Sequence, residues 1–214
     1  MGNLVFIDRN IRKKIYREYL SDDRIYLWRA LGRNFPLHTS LSYIAAKRGH
    51  FERLKWLYDN GVWFDTFTSA EASGYGDVEV LEWLKKIGCA FDYNASIYAA
   101  CNGRIKSVEW LETNKYPIQK YQMTRYAAIY GHLEMLRWLV ERGYNGVIPI
   151  YTIEIAKRGH LDVLKYLHEI KAPISKSMCI EAAKEYGHLD MLWWLENVYM
   201  YDPESDFESD EGYE

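Results

Sequence analysis

Tyr126-Ala127-Ala128-Ile129-Tyr130-Gly131-His132-Leu133-Glu134-Met135-Leu136-Arg137-Trp138-Leu139 reads as two short helices meeting at Gly131-His132. The same phrase recurs along the chain. Its turn pairs fall at Gly49-His50, Gly76-Asp77, Gly103-Arg104, Gly131-His132, Gly159-His160 and Gly187-His188, spaced by 27 or 28 residues. Seven residues after each glycine stands an aromatic-Leu pair: Trp56-Leu57, Trp83-Leu84, Trp110-Leu111, Trp138-Leu139, Tyr166-Leu167 and Trp194-Leu195. Self-similarity at a fixed period of this length marks a repeat architecture.

The residue types have physical reasons. Glycine ends a helix well because it enters the left-handed region without a Cβ penalty. Small residues precede each turn (Ala45-Ala46, Ala72-Ser73, Ala99-Ala100, Ala127-Ala128, Ala156) and let the first helix approach its neighbours closely. In the sixth copy Ala182-Ala183 lie one residue further back, which predicts a first helix one residue longer. The second helix carries apolar residues two, five and eight after the glycine, as in Leu133, Leu136 and Leu139, one stripe of a helical period. Glu52, Glu79, Glu134, Asp162 and Asp190 stand in its first turn, where the helix dipole favours negative charge. One hairpin cannot bury both faces alone, so the copies are expected to stack into an all-α solenoid of about six helix-turn-helix repeats.

The pattern Ala-Ala-x-x-Gly-His followed by an apolar second helix resembles the ankyrin repeat over roughly residues 38–198. Gly131-His132-Leu133-Glu134-Met135-Leu136-Arg137-Trp138-Leu139 is similar to the short form common in large DNA viruses and amoebae. The Thr-Pro-Leu-His opening of that family is absent, and the period is shorter than its usual ~33 residues. The missing residues are expected to come from the β-hairpin finger, leaving short connectors such as 61–66 and 88–94. The resemblance implies protein recognition through a concave face, without catalysis. Another kind of α-solenoid would carry the same functional expectation.

Apolar residues at 49% and charged residues at 27% are ordinary for a soluble domain. No segment is apolar enough to span a bilayer, and Met1–Arg9 lacks a signal-like run. Cys89, Cys101 and Cys179 form no spaced framework, so reduced thiols and a cytoplasmic setting (host cytoplasm for a viral protein) are expected. Residues 202–214 carry seven acids and no base, so residues 1–201 total +4 against −3 for the whole chain. That excess is too small to imply nucleic acid.

Three parts are expected: residues 1–36 as a helical N-terminal cap, 37–201 as the repeats, and 202–214 as an acidic disordered tail. Within the first, Ile11, Ile15, Tyr19 and Leu20 suggest one amphipathic helix, and Ile25, Trp28 and Leu31 a second. Residues 16–35 are also faintly similar to the later part of an F-box. That resemblance implies docking on a ubiquitin-ligase adaptor through residues 11–35, with the repeats recruiting substrate. In repeat three Arg104 replaces the turn histidine and Lys106 the first-turn acid. Positive charge at a helix N-terminus either attracts an acidic partner or phosphate, or is drift at a solvated position. Trp193 occupies a position that is charged in the first five copies, and its cover is either residues 198–201 folding back or a partner. The acidic tail either aids solubility or shields the basic turn of repeat three.

Four of six histidines sit in turn pairs. Equivalent atoms of stacked hairpins lie about 10 Å apart, too far to share a zinc at about 2.0–2.1 Å, so these histidines are expected to hydrogen-bond backbone and fix the hairpin. No catalytic, phosphate-binding or cofactor motif emerges, and no cofactor or metal is expected. Surface remains. By position in the family, the recognition face includes Trp63, Phe67, Tyr93 and Tyr121 on the connectors and Tyr75, Asn102, Tyr130, Arg158 and Tyr186 before the turns, with Arg104, Lys106 and Trp193 as further candidates. About half are expected to be exposed, the other tyrosines packing between repeats.

Overall fold

A computed structural model of the chain describes residues 39–144 and 149–197. The expected N-terminal cap, the F-box-like segment, residues 198–201 and the acidic tail lie outside them. Among the described residues all regular structure is helical, in six hairpins. They are α1 (Ser40–Lys47) with α2 (Phe51–Asp59), α3 (Thr66–Tyr75) with α4 (Val78–Lys86), and α5 (Tyr93–Cys101) with α6 (Ile105–Thr113). There follow α7 (Lys120–Ile129) with α8 (Leu133–Glu141), α9 (Pro149–Lys157) with α10 (Leu161–Glu169), and α11 (Lys176–Tyr186) with α12 (Leu189–Asn197). At 11 residues α11 is the longest, as the displaced Ala182-Ala183 predicts. Pro149 opens α9, where its missing N–H costs nothing.

Each first helix packs on the first helix of the next repeat, from α1 through to α11, and on its own second helix. The small residues permit this. Ala45, Ala72, Ala99, Ala100, Ala127, Ala128, Ala156 and Ala183 are buried, and a Cβ added to Gly74 would stand 3.3 Å from the Tyr98 carbonyl oxygen. The second helices contribute the heavier core. Leu57, Leu84, Leu111, Leu139, Leu167 and Leu195 are all fully buried, each worth about 1.5–3 kcal/mol relative to exposure. The apolar residue two after the glycine packs forward onto the next repeat: the Phe51 ring meets Trp83 at 5.5 Å between centroids. Phe51, Val78, Ile105, Leu133 and Leu161 are accordingly half-buried. Leu189, its counterpart in the last repeat, is 73% exposed.

Both ends of a hairpin use one device. At the inner turn Gly131 has φ +78°, and the His132 N–H reaches the Ala127 carbonyl at 2.9 Å, which closes the helix in a Schellman motif. At the outer end Gly143 has φ +74°, and the Tyr144 N–H reaches the Leu139 carbonyl at 2.9 Å. The same outer bond occurs on Leu57, Leu84, Leu111 and Leu167. In repeats three and five the left-handed outer position holds Lys115 (φ +60°) and Lys171 (φ +54°) instead of glycine.

A second feature of the stack is a buried hydroxyl seven residues before the turn glycine. Ser42, Ser69, Ser96, Thr124 and Thr152 are fully buried. Ser69 donates to the Ala90 carbonyl at 2.8 Å and Thr124 to the Tyr144 carbonyl at 2.6 Å. Ser96 accepts from the Gln119 N–H at 3.1 Å and Thr152 from the Ser175 N–H at 3.3 Å. Each of these four anchors the connector that leads into the next repeat. Strands are absent from the described connectors, so the repeat is short where a finger would otherwise stand.

Two outcomes follow for equilibrium urea unfolding. Lys115→Gly relieves a left-handed lysine and raises stability by about 0.5–1 kcal/mol after the entropy that glycine adds to the unfolded chain. Thr124→Val keeps the volume but strands the Tyr144 carbonyl, and lowers stability by about 1–3 kcal/mol.

Candidate recognition face

His132, His160 and His188 do not fix their own hairpin, as the sequence suggested for the turn histidines; they reach back to the preceding repeat. His132 Nε2 lies 2.8 Å from the Cys101 carbonyl oxygen, and His188 Nε2 lies 2.8 Å from that of Lys157. A carbonyl only accepts, so Nε2 carries the proton in both rings. The same rings cover the neighbouring turn glycine: a Cβ on Gly131 would stand 2.4 Å from His160 Nδ1, and one on Gly159 2.7 Å from the His188 ring. Glycine is therefore required twice, by its φ and by the side chain resting on it. Repeat two departs from this. Asp77 instead caps its own helix, accepting from the Glu79 N–H at 2.9 Å, and the Tyr75 ring covers Gly49.

Arg104 takes the histidine's place in repeat three. Its Nε donates to the Gly74 carbonyl at 3.3 Å, and its methylenes rest where a Cβ of Gly76 would be. The guanidinium thus turns from the α6 N-terminus towards repeat two and lines a groove there. Lys106 does not join it, because it belongs to a second helix. The groove holds about 530 Å³ and is lined by Lys47, Glu71, Tyr75, Tyr98, Asn102, Arg104, Tyr126 and Tyr130. Burial raises the Glu71 carboxyl above its ordinary range, opposed by Lys47, and burial followed by the Glu71 charge raises Tyr98.

All twelve candidate residues are exposed, rather than half. The close approach of the first helices leaves no room for rings between them, so the tyrosines stand outside. The structure gathers four candidates, Tyr75, Asn102, Arg104 and Tyr130, around the groove, and the Arg158 guanidinium lies 4.8 Å from the Tyr130 ring centre. Phe67, Tyr93 and Tyr121 lie in the first turns of α3, α5 and α7 instead of on connectors; Trp63 does stand on one. Phe67 meets Tyr43 at 5.8 Å between centroids, and the Tyr121 hydroxyl meets that of Tyr151 at 2.9 Å. Tyr186 ends the last first helix, far along the stack from the groove. Trp193 is on a second helix and 61% exposed; residues 198–201, expected to cover it, are outside the described residues.

Sequence reading missed Glu71, Tyr98 and Tyr126, although all three lie four or five residues before a turn glycine or its neighbour, on the same helix face as the residues it chose. It also missed Arg125, whose guanidinium stacks 4.5 Å from the Tyr151 ring centre.

Charge divides between the layers. The first helices and turns of repeats one to five carry Lys47, Arg48, Arg104, Lys120, Arg125, Lys157 and Arg158 against Glu71, Asp77 and Glu154. The second helices of these repeats carry seven bases against ten acids. Some outer bases pair with outer acids, as Arg137 with Glu169 at 3.6 Å and Arg142 with Glu109 at 3.9 Å. Arg104, Arg125 and Arg158 form no ion pair among the described residues, and the latter two lie on tyrosine rings instead.

Burial pushes the Cys89 thiol up to about 12 and the Cys101 thiol to about 11, so neither is a thiolate near neutral pH. The described residues contain no group of three or more side chains suited to a metal, and no helix long and apolar enough to cross a membrane.

His160 supplies a pH test. Burial lowers its pKa, with Arg158 and the neighbouring histidines acting in the same direction against Asp162. The unfolded chain therefore binds the proton more readily, and stability falls as pH drops through the ordinary histidine range near 6.5. The loss between pH 7 and 5 should be smaller in His160→Gln than in the parent, read from urea midpoints at each pH.

No family model matches the chain, and no curated protein matches it either. Among solved structures the chain is similar to the crystal structure of the human ASB11 ankyrin repeat domain, with a TM-score of 0.54 and 19% identity over 76% of this chain and 82% of that one. The fold of this chain is therefore an ankyrin-type α-solenoid.

Proposed function

We propose that the chain is a non-catalytic scaffold that recognises a protein partner through the first-helix face of its repeats. The supporting observation is the concentration on that face, beside the groove, of exposed tyrosines and of arginines that form no ion pair among the described residues. Aromatic and arginine side chains dominate the energetics of protein interfaces, because they offer large contact area and several donors. The helices beneath are closely packed, so these side chains are presented without a large ordering cost on binding. Raised thiol pKa values among the described cysteines fit the absence of covalent chemistry. A cytoplasmic setting is part of the same reading, and three free cysteines fit a reducing compartment.

The docking of residues 11–35 on a ubiquitin-ligase adaptor is a separate reading that rests on sequence similarity alone. Both are tested by capture of the full chain from cells, with mass spectrometry, against two variants. Tyr130→Ala with Tyr98→Ala should lower partner recovery at least about tenfold if the first-helix face carries the contact. Ile25→Asp with Trp28→Asp should remove ligase components while leaving other partners, if the N-terminal segment is a docking motif. Recovery unchanged by the tyrosine substitutions overturns the recognition reading.

A further inference from the structure

The groove of repeats two to four combines cations, tyrosine walls and one carboxylate, and this chemistry restricts what enters it. We infer that the first-helix face is built for an extended acidic peptide, whose carboxylates pair with Arg104, Arg158 and Lys47 and whose backbone is read by Glu71 and Asn102. The inference rests on the proposed recognition reading and names the class of partner.

Charge complementarity carries it. Lys55, Arg137 and Arg142 of the outer layer pair with outer acids, whereas Arg104 and Arg158 form no ion pair among the described residues. Arg158 lies 4.8 Å from the centre of the Tyr130 ring, a contact that restrains its guanidinium without using its N–H donors on a carboxylate. Arg104 spends one donor on the Gly74 carbonyl, so the rest of its fork remains for a ligand at the groove. An arginine held by stacking or by one backbone bond loses little freedom when a carboxylate docks bidentately. Lys47 stands on the far side of the groove, beside Glu71.

Glu71 decides between an acidic peptide and a nucleic acid, the other polyanion that basic and aromatic side chains would suit. Its carboxylate sits inside the groove, where it repels a phosphodiester but accepts peptide N–H groups. The Asn102 Nδ2 already donates to the Tyr98 carbonyl at 2.8 Å, leaving its oxygen as a second acceptor for peptide N–H. Phosphodiester groups carry no donor for either acceptor; a peptide backbone satisfies both. An extended peptide of about twelve residues at ~3.3 Å each spans the roughly 40 Å of the four repeat-to-repeat steps from Lys47 in repeat one to Arg158 in repeat five.

The test is selection of a displayed library of random peptides about twelve residues long against the full chain, with a single-stranded dT oligonucleotide of similar length as competitor. Recovered peptides should be rich in Asp and Glu and should weaken as salt rises. Affinity should fall about tenfold in Arg158→Glu and in Arg104→His, and less than about twofold in Lys165→Glu on the outer layer. Arg104→His restores the residue found at this position in four other repeats, so it keeps the stacking contact while removing the long cation. Peptides that bind the same face, shown by loss in Tyr130→Ala, but carry no acidic bias overturn the inference and leave the recognition reading standing. Failure to recover any peptide, or recovery of peptides indifferent to every first-helix substitution, overturns both. Displacement of the acidic peptides by dT at lower concentration overturns the inference in favour of a nucleic-acid ligand.

Discussion

The stack depends on a left-handed turn residue that must also be small. Each inner turn needs a positive φ to close its helix, and in repeats three to five the next repeat then sets a histidine ring where the Cβ would lie. A hairpin's own geometry and its contact with the neighbour are therefore satisfied at one atom position. The outer turns share the first demand but not the second: a Cβ on Gly61, Gly88 or Gly143 would meet nothing within 4 Å. That difference fits the lysines at Lys115 and Lys171 and the glycines at the five inner turns that carry a neighbour's side chain; Gly187, in the last repeat, has nothing within 4 Å and is held by its φ alone. Strain alone is a cost of about 1–2 kcal/mol that a repeat can absorb; strain with a ring in the way is not.

Close approach on one side of the stack decides what appears on the other. Because the first helices meet through alanine, serine and glycine, large side chains are excluded from between them and gather on the exposed face. The second helices meet through leucine and partly or fully buried aromatic residues such as Trp83, Trp110 and Trp194, and they expose charge. The result is a body whose core lies between the two helix layers and whose distinctive surface chemistry lies on the first helices. The same packing rule thus sets stability and presentation, and neither can be altered independently.

Much of this was legible in the sequence, and the reason is repetition. Six copies of Gly followed by an aromatic-Leu pair locate every described hairpin, and the displaced Ala182-Ala183 even gives the longer α11. What escaped was whatever the pattern does not force. The hydroxyls of Ser42, Ser69, Ser96, Thr124 and Thr152 are as regular as the glycines, but serine and threonine are common on surfaces and their periodicity signals nothing until they are found buried. The histidines were visible, whereas the direction of their hydrogen bond was not, since a ring at a turn reaches its own helix or the previous one with equal ease. Exposure of the tyrosines was underestimated for a steric reason: an alanine pair says that helices approach, but not that rings are thereby expelled.

Arg104 shows how a deviation in a repeat becomes functional raw material. Stacking asks only for a flat or slender group over Gly76 and a donor to the Gly74 carbonyl, and arginine meets both requirements through its methylenes and Nε. Histidine would end there. Arginine is longer, so meeting the structural demand leaves part of a guanidinium projecting beyond the stack, beside Tyr98 and Tyr130. With no finger on the described connectors, a short repeat has few other places from which to extend a side chain. Specificity in such a solenoid is then expected where a stacking position carries a residue larger than stacking needs, and in this chain that condition is met at the groove.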